Sequence, residues 1–383
     1  MMWFDLGGAA TVGFSGPVES AVVAYASSQL RPYRPATAPE PPDLDVVLAR
    51  SNAERDAPLP GGLEIQNDAG DGLRTAWDGE RTWILDGTRR CSLPDPMRDR
   101  PAVVEYQAGF PLWDIWGDLV RPVVALAALR HDAVVIHASA VEIDGRAVLV
   151  GGWSESGKTE VALALCERGG RFISDKWTIV RLDGSVLPFP APAGIRSWVL
   201  PYLPRLRSAL RPTEKVQVAG ARLASTVTSP LRRSRDPRLA VRAAAGAADR
   251  VTAVAARVST SIERLRTVYG GDAADMCNPV PLGSCVLLAT APGSGVEIGT
   301  ADATAVAARL ADAAVFERMR YFGVGQRMAY AAGGPRRTGP EDVARIERER
   351  LERVLSGVRL MRVATGFPAD PRPASDAIAG ALG

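Results

Sequence analysis

The chain has 383 residues, of which 46% are hydrophobic and 23% charged, and its mean hydropathy is close to zero. This composition is typical of a folded protein with enough residues for two or three domains, or for one domain with large insertions. The formal charge of +3 is too small to indicate a nucleic-acid partner, and we expect none. Charged residues interrupt the apolar region 112–136, and residues 1–8 lack a signal-peptide pattern. We therefore expect a cytoplasmic protein with no membrane partner.

The four cysteines, Cys91, Cys166, Cys277 and Cys285, are scattered and form no C-x-x-C pair. Neither a disulfide framework nor a cysteine-based metal site is expected from this spacing, and we interpret them as reduced packing thiols.

Residues 1–130 predict a separate amino-terminal α/β portion. A helical pattern covers 17–30, and five prolines between 31 and 43 predict the absence of regular structure there. Strand-like runs follow at 44–49, 63–66, 75–77, 82–85 and 102–106, and the two around Asp78-Gly79 predict a hairpin. A helix from about 112 to 129 would place Trp113 and Trp116 in the core.

The strongest motif lies at 151–160 and reads Gly-Gly-Trp-Ser-Glu-Ser-Gly-Lys-Thr-Glu. From Gly152 it satisfies the phosphate-loop pattern G-x-x-x-x-G-K-[ST], in which backbone amides surround a phosphate, Lys158 reaches its oxygens and Thr159 holds Mg²⁺. A predicted strand (146–151) precedes it and a predicted helix (161–166) follows. The predicted nucleotide-binding residues are Gly152, Trp153, Ser154, Glu155, Ser156, Gly157, Lys158 and Thr159.

Residues 131–203 form the predicted nucleotide core. A strand is expected at 134–141 and another at 171–175. The crossover through the helix would set the strand at 171–175 parallel to the strand at 146–151 and beside it, which would place Asp175 at the carboxyl end of a strand next to the loop. Asp175 is there a candidate general base or metal-facing acid. Glu160 is either an acid stabilised by the helix dipole or a metal ligand. His137 is either a core histidine or a group near the phosphates.

Two further cations are candidates for contacts with substrate or phosphate. Lys176 follows Asp175 directly and is either a solvated side chain or a second cation at the site. Arg196 follows a proline-rich turn and is a weaker candidate.

Residues 204–275 predict a basic, largely helical insertion. Between 204 and 250 there are ten arginines and one lysine against three acids. This segment is either an arginine-faced helical insertion, with one long helix over 239–265, or a docking surface for an acidic peptide or protein. Residues 276–383 continue the core, with strands at 286–289, 296–298 and 358–363 and helices at 302–318 and 340–355.

The order of these elements over 133–190 resembles the catalytic domain of HPr kinase/phosphorylase and the kinases related to it. It comprises His137-Ala-Ser, a turn between two strands, the motif G-x-x-x-x-G-K-T-E, a helix, a glycine pair and Asp175. The fold of that family is similar to that of ATP-dependent phosphoenolpyruvate carboxykinases. The resemblance implies an α/β fold whose HPr kinase-like phosphate-loop core has a mixed sheet, and it suggests an oligomer. It also implies ATP and Mg²⁺ as cofactors, with Thr159, Glu160 and Asp175 near the metal.

The same resemblance implies an ATP-dependent serine kinase in which Lys158 and His137 lie near the phosphates and Asp175 activates a serine hydroxyl of a peptide or protein. The sequence differs from the family at Asp175-Lys176, where two adjacent acids are usual, and it lacks the signature segment and amino-terminal domain of HPr kinases. A natural-product precursor peptide therefore suits it better as acceptor than HPr. Two alternatives stay open: a kinase of a small metabolite such as free serine, and a catalytically silent nucleotide-binding regulatory or scaffold protein.

Overall fold

The computed structural model describes residues 2–37, 43–51, 64–67, 74–78, 81–220, 257–272, 275–292, 295–332 and 337–383. The fold is α/β, with mixed sheets, as predicted. Within the described residues, no helix is long and apolar enough to cross a membrane.

Nine described strands form the first sheet: β1 (Met2–Asp5), β2 (Thr11–Ser15), β3 (Ala36–Thr37), β4 (Val46–Arg50), β5 (Glu64–Asn67), β6 (Arg74–Trp77), β7 (Thr82–Asp86), β8 (Arg89–Leu93) and β9 (Ala102–Tyr106). Their spatial order is β3-β1-β2-β4-β9-β8-β7-β6-β5. β2, β4 and β9 are parallel neighbours. The predicted hairpin is confirmed as the antiparallel pair β6–β7, in which Trp77 lies opposite Thr82.

The remaining strands are β10 (Ala133–Ile136), β11 (Ala138–Ile143), β12 (Arg146–Gly152), β13 (Arg171–Ser174), β14 (Thr178–Arg181), β15 (Ser185–Pro188), β16 (Ala193–Arg196), β17 (Arg257–Thr260), β18 (Val280–Thr290), β19 (Glu297–Thr300) and β20 (Arg359–Thr365). All but β16 and β17 form the second sheet, in the order β10-β14-β15-β18-β12-β11-β13, and β20 pairs with β18 and β19. β12, β18 and β20 run parallel, so their carboxyl ends meet at one edge, where ligands of such sheets bind.

The described helices are α1 (Ser20–Gln29), α2 (Leu112–Ile115), α3 (Arg121–Ala127), α4 (Lys158–Glu167), α5 (Pro204–Ser208), α6 (Ile262–Val268), α7 (Ala303–Glu317), α8 (Met319–Ala332), α9 (Pro340–Leu355) and α10 (Arg372–Leu382). A π-helical turn, Trp116–Val120, joins α2 to α3, and residues 212–220 are also helical. α4 ends as predicted at its glycine pair, where Gly169 takes a φ of 109° and Gly170 N–H donates to Leu165 O.

The two sheets share one continuous hydrophobic cluster, to which strands of both sheets and helices α3, α7 and α9 contribute. Polar contacts also join them: the Tyr33 hydroxyl donates to Pro188 O at 2.8 Å, and the Tyr321 hydroxyl donates to Pro94 O at 2.9 Å. Because these contacts join the two sheets, they do not show where one domain would end, and the predicted domain boundary at residue 130 stays a prediction.

Four sequence expectations need correction. The prolines of residues 31–43 do not exclude regular structure there, since Ala36–Thr37 is a strand that pairs with β1. β13 does not lie beside β12, because β11 pairs antiparallel with both and lies between them. The predicted single helix over 239–265 is wrong at Arg257–Thr260, a strand that pairs with Ala193–Arg196, whereas residues 262–265 are helical, within α6. Trp113 is 54% exposed rather than in the core, although Trp116 is buried.

Half of the predicted basic insertion, residues 221–256, lies outside the described residues. Its described flanks are mostly helical, with α5, residues 212–220 and α6, and contain one strand, β17.

Candidate functional site

A glycine-rich loop connects β12 to α4, in the order that the sequence predicts. Gly152 takes a φ of 150°, and a Cβ on it would lie 2.5 Å from Ser156 Oγ and 2.9 Å from Leu288 O. Gly157 takes a φ of 90° as α4 begins. Only glycine fits the first position without displacing backbone, because the loop folds back tightly against β18.

Lys158 is buried at the start of α4, and its ammonium donates to Gly152 O at 3.0 Å and to Trp153 O at 2.7 Å. Burial lowers the pKa of Lys158 to about 8, and the carboxylate of Asp175 partly opposes this shift. The Lys158 side chain is thus held against its own loop, and its charged form is less stable there than it would be in water.

Asp175 is buried just beyond the end of β13, and two hydroxyls donate to its Oδ1. The hydroxyl of Thr159 lies 2.8 Å away and that of Ser139 2.6 Å away. No described residue donates a hydrogen bond to Oδ2. The intervening strand β11 therefore does not separate Asp175 from the loop, because Thr159 reaches it directly and Ser139 of β11 donates to the same oxygen.

Lys176 forms the centre of a tight turn in which Trp177 N–H donates to Asp175 O at 2.7 Å. Its φ of 65° is unusual for a non-glycine residue and costs on the order of 1–3 kcal/mol. The turn directs the chain away from the sheet edge, and the lysine side chain is exposed.

His137 breaks the strand that the sequence predicts as continuous, so that β10 ends before it and β11 begins after it. Its ring is buried 5.5 Å from that of Trp177, and Nδ1 lies 3.7 Å from Glu317 Oε1 without any hydrogen bond. Burial, reinforced by nearby cations, moves the pKa of His137 far below its ordinary value. The imidazole is therefore neutral, and its contact with Glu317 is not an ion pair.

The remaining candidates differ in burial. Glu160 is buried in the first turn of α4, and burial raises its pKa. Arg196 donates through Nη2 to Glu155 Oε1 at 2.5 Å, in a pair whose glutamate is largely exposed.

These side chains line one cavity of about 340 Å³, a volume within the range of small-molecule sites. The predicted residues in its wall are His137, Ser154, Glu155, Ser156, Gly157, Lys158, Thr159, Glu160, Asp175, Lys176 and Arg196. Gly152 lies beneath the loop, and Trp153 points its ring at Phe316 instead. The structure thus brings together nearly all residues that the sequence singles out.

Sequence reasoning missed five wall residues, Pro192, Gly194, Arg257, Glu317 and Phe367. Pro192 and Gly194 lie close in sequence to the predicted Arg196. The other three lie about 100 residues or more beyond the loop and in no motif, so only tertiary contact reveals them. One clue was present for Glu317, because an acid in the last turn of a helix is opposed by the helix dipole.

The wall suits a nucleotide phosphate with its metal ion. The Ser156 hydroxyl is buried in the loop without a partner, and the start of α4 presents backbone N–H groups. No group of three or more His, Cys, Asp or Glu side chains able to hold a metal ion occurs among the described residues. Mg²⁺ at phosphates needs only one or two carboxylates besides phosphate and water, and Thr159, Asp175 and Glu160 offer such oxygens.

No protein-family model matches the chain, and no match was found among curated proteins. The function must therefore be inferred from the site itself.

Proposed function

We propose that this protein is an ATP- and Mg²⁺-dependent kinase that phosphorylates a hydroxyl, with serine in a peptide or protein as the acceptor. The observation that carries the proposal is the 2.8 Å hydrogen bond from Thr159 Oγ1 to Asp175 Oδ1 beside the buried Lys158. A loop lysine, a loop threonine and a strand-end aspartate in contact are the parts that phosphoryl transfer at such loops requires.

In this proposal the loop N–H groups and Lys158 bind the β- and γ-phosphates. Lys158 exchanges its two carbonyl acceptors for phosphate oxygens, which restores the stabilisation that its lowered pKa indicates is missing. Thr159 and Asp175, with Glu160 nearby, hold the Mg²⁺, which neutralises charge on the phosphoryl oxygens when bound.

Asp175 has a second role through Oδ2. The acceptor oxygen bonds to the γ-phosphorus while the bond from phosphorus to the ADP oxygen breaks, and the hydroxyl proton passes to Asp175. The exposed Lys176 and the half-buried Arg196 are placed in the wall to contact the transferred phosphoryl group or the acceptor.

The test is phosphoryl transfer from γ-labelled ATP to serine peptides and to free serine, with Asp175→Asn as the decisive variant. Loss of a general base should lower transfer about 10²–10⁴-fold, while ATP affinity changes little. The matched control is Asp183→Asn, an aspartate in an exposed turn whose loss should leave transfer unchanged. Full activity of Asp175→Asn would overturn its role, and transfer to free serine alone would replace the peptide acceptor with a metabolite.

A second candidate, nucleotide binding without transfer, is favoured by one observation. Both hydrogen bonds to Asp175 Oδ1 come from the protein itself, which gives this carboxylate a structural task in holding Thr159. ATP binding with no phosphoproduct in Mg²⁺ or Mn²⁺, for any acceptor tested, would favour this candidate over the kinase.

A further inference from the structure

The ribbon of β16 and β17 turns one face to the core and the other to the cavity. Ile195 and Val258 lie opposite each other in the ribbon, and both are buried. Because side chains alternate along a strand, their neighbours Arg196 and Arg257 lie on the other face, and both line the cavity wall. The face of the ribbon that meets the cavity is therefore cationic.

The two arginines oppose each other in the antiparallel register. Arg196 and Arg257 are Cα partners, and side chains in such positions have Cβ atoms about 4.5–5.5 Å apart. Like charges directly opposite each other destabilise a strand pair. Within the described part of the chain, the Arg257 side chain has no hydrogen-bond or ion-pair partner. An anion held between the two guanidinium groups would remove this repulsion.

Arg196 shows which kind of anion suits this face. Its Nη2 donates to Glu155 Oε1 at 2.5 Å, and its guanidinium carbon lies 5.7 Å from the ring centroid of Phe367. The Glu155 side chain is 63% exposed, so the pair is weak and its carboxylate can be exchanged for another. A carboxylate that bridges both arginines would form charge-assisted hydrogen bonds to each of them.

An open position beside the arginines leaves room for the chain that carries such a carboxylate. Gly194 lies two residues before Arg196 on the same face of β16, and it also lines the cavity wall. A Cβ on Gly194 would meet no described atom within 4 Å. The ribbon thus presents an unobstructed surface next to its two charges.

From this arrangement we infer that Arg196 and Arg257 form a subsite for a carboxylate of the acceptor, carried by an aspartate or glutamate near the serine. The inference rests on the proposed kinase function and narrows its acceptor to acidic peptides or proteins. In that function the phosphates of the nucleotide have other partners, namely the loop N–H groups, Lys158 and Mg²⁺. Without a cationic subsite, the negative charge of the nucleotide would disfavour an acidic acceptor, so the two readings predict preferences of opposite sign.

The size of the cavity sets the spacing between serine and carboxylate. Arg196, Arg257 and Asp175 line one cavity of about 340 Å³, so the two groups of the acceptor must be close together. Consecutive residues of an extended peptide are about 3.5 Å apart, which places the acidic residue one to three positions from the serine.

The experiment uses acetylated, amidated pentapeptides with one serine, in which a residue one, two or three positions away is glutamate, glutamine or lysine. Binding of labelled peptides to the full chain is measured by fluorescence anisotropy without nucleotide, and kcat/KM is measured with ATP and Mg²⁺. At the best position we expect glutamate to be preferred over glutamine about tenfold, and lysine to bind most weakly. Free serine is compared with serine amide, which separates a side-chain carboxylate from an amino-acid carboxylate.

Arg257→Gln should reduce the preference for glutamate to about threefold or less while ATP affinity is kept, and Arg196→Gln should reduce it similarly. The melting temperature of Arg257→Gln should not fall, because the substitution relieves a repulsion between like charges. The matched control is Arg207→Gln, an exposed arginine of α5 outside the cavity wall, which should leave the preference intact.

Equal affinity for the three peptide series, or a glutamate preference that survives Arg257→Gln, would overturn the inference. So would a loss of ATP affinity in both arginine variants with an unchanged peptide preference, because the arginines would then serve the nucleotide. A preference for free serine over its amide, with none among the peptides, would reject the side-chain carboxylate in favour of an amino-acid carboxylate. Glutamate-selective binding without phosphate transfer would keep the subsite and reject the kinase, so the two proposals fail separately.

Discussion

Each nine-stranded sheet has a cavity beside it, and the two cavities are similar in size, about 300 Å³ at the first sheet and about 340 Å³ at the second. Charged groups line both. At the first, the protein itself binds them: Arg337 donates to Thr82 Oγ1 and Leu93 O, both at 2.9 Å, and Asp95 Oδ2 accepts from Thr338 N–H at 2.8 Å.

At the second cavity the polar groups are less well satisfied. Two buried atoms, His137 Nδ1 and Ser156 Oγ, have no hydrogen-bond partner, and the pKa of Lys158 is lowered by burial. Unsatisfied buried groups each cost on the order of 1–3 kcal/mol. Cavity size alone does not distinguish these places. The polar groups of the first cavity are bound within the protein, whereas two buried polar atoms of the second have no partner.

The largest expected effect shows what a buried, paired charge is worth in the second half of the molecule. Arg318 and Glu347 are fully buried and paired at 2.7 Å. Glu347→Ala leaves the arginine uncompensated and should lower the free energy of unfolding by about 3–5 kcal/mol, measured by urea denaturation. The double variant Arg318→Met/Glu347→Leu should recover most of it. If Glu347→Ala were as stable as the parent, pairing would not be what distinguishes the buried charges of Arg318 and Glu347 from that of Lys158.

Lys158 and Arg337 test the comparison of the two cavities directly. Removing the Lys158 cation should stabilise the folded protein, whereas removing the Arg337 cation should destabilise it. Burial lowers the pKa of Lys158 from 10.5 to about 8, so the unfolded chain binds more protons between these values. The stability penalty is therefore fully present below pH 8 and disappears as the pH rises through 10.5. Lys158→Met should be more stable than the parent near pH 7 by up to ~3 kcal/mol, and this gain should vanish by about pH 10.5.

Arg337→Met should instead lose about 1–3 kcal/mol, with no pH dependence over this window, because its hydrogen bonds are satisfied. Thermal unfolding of both variants across pH measures this. Destabilisation by Lys158→Met at neutral pH would remove the distinction between the two cavities.

A smaller effect compares two glycines. Gly152→Ala places a Cβ 2.5 Å from Ser156 Oγ and 2.9 Å from Leu288 O, whereas Gly87→Ala, in the hairpin of β7 and β8, meets nothing within 4 Å. Both have positive φ, so both should lose about 1–2 kcal/mol. Under the proposed function ATP should raise the melting temperature of the parent, and only Gly152→Ala should also lose this rise. An equal ATP shift in both variants would argue against phosphate binding at this loop.

The sequence predicts the local parts of the site well and their arrangement only partly. The loop, α4 and the end of β13 follow from periodicity and glycine positions, so Lys158, Thr159 and Asp175 can be located from the chain alone. The position of β11 between β12 and β13 cannot be predicted from the chain alone, because an adjacent parallel pair of strands would satisfy the same hydrophobic pattern. The site geometry survives this error because Ser139 on β11 contacts Asp175.

The wall residues Glu317 and Phe367 could not be predicted for another reason. Each lies in a segment whose own pattern reads as an ordinary helix end or loop, and its position depends on packing against strands more than 100 residues away. Long-range contacts determine which of these residues reach the cavity wall, and such contacts leave no periodic pattern in the local sequence.

The small ribbon of β16 and β17 has a consequence for chain closure. Gln217 Nε2 donates to Arg257 O at 3.1 Å, so the described chain reaches and leaves residues 221–256 at nearly the same place. Replacing that segment by about six glycines and serines would leave both ends where they are. The entropic cost of closing the shorter loop would also be lower, by about 1.6 kcal/mol for a sixfold reduction in length. The segment is thus topologically removable, and the cavity arginines Arg196 and Arg257, which lie opposite each other at one end of the ribbon, would stay where they are.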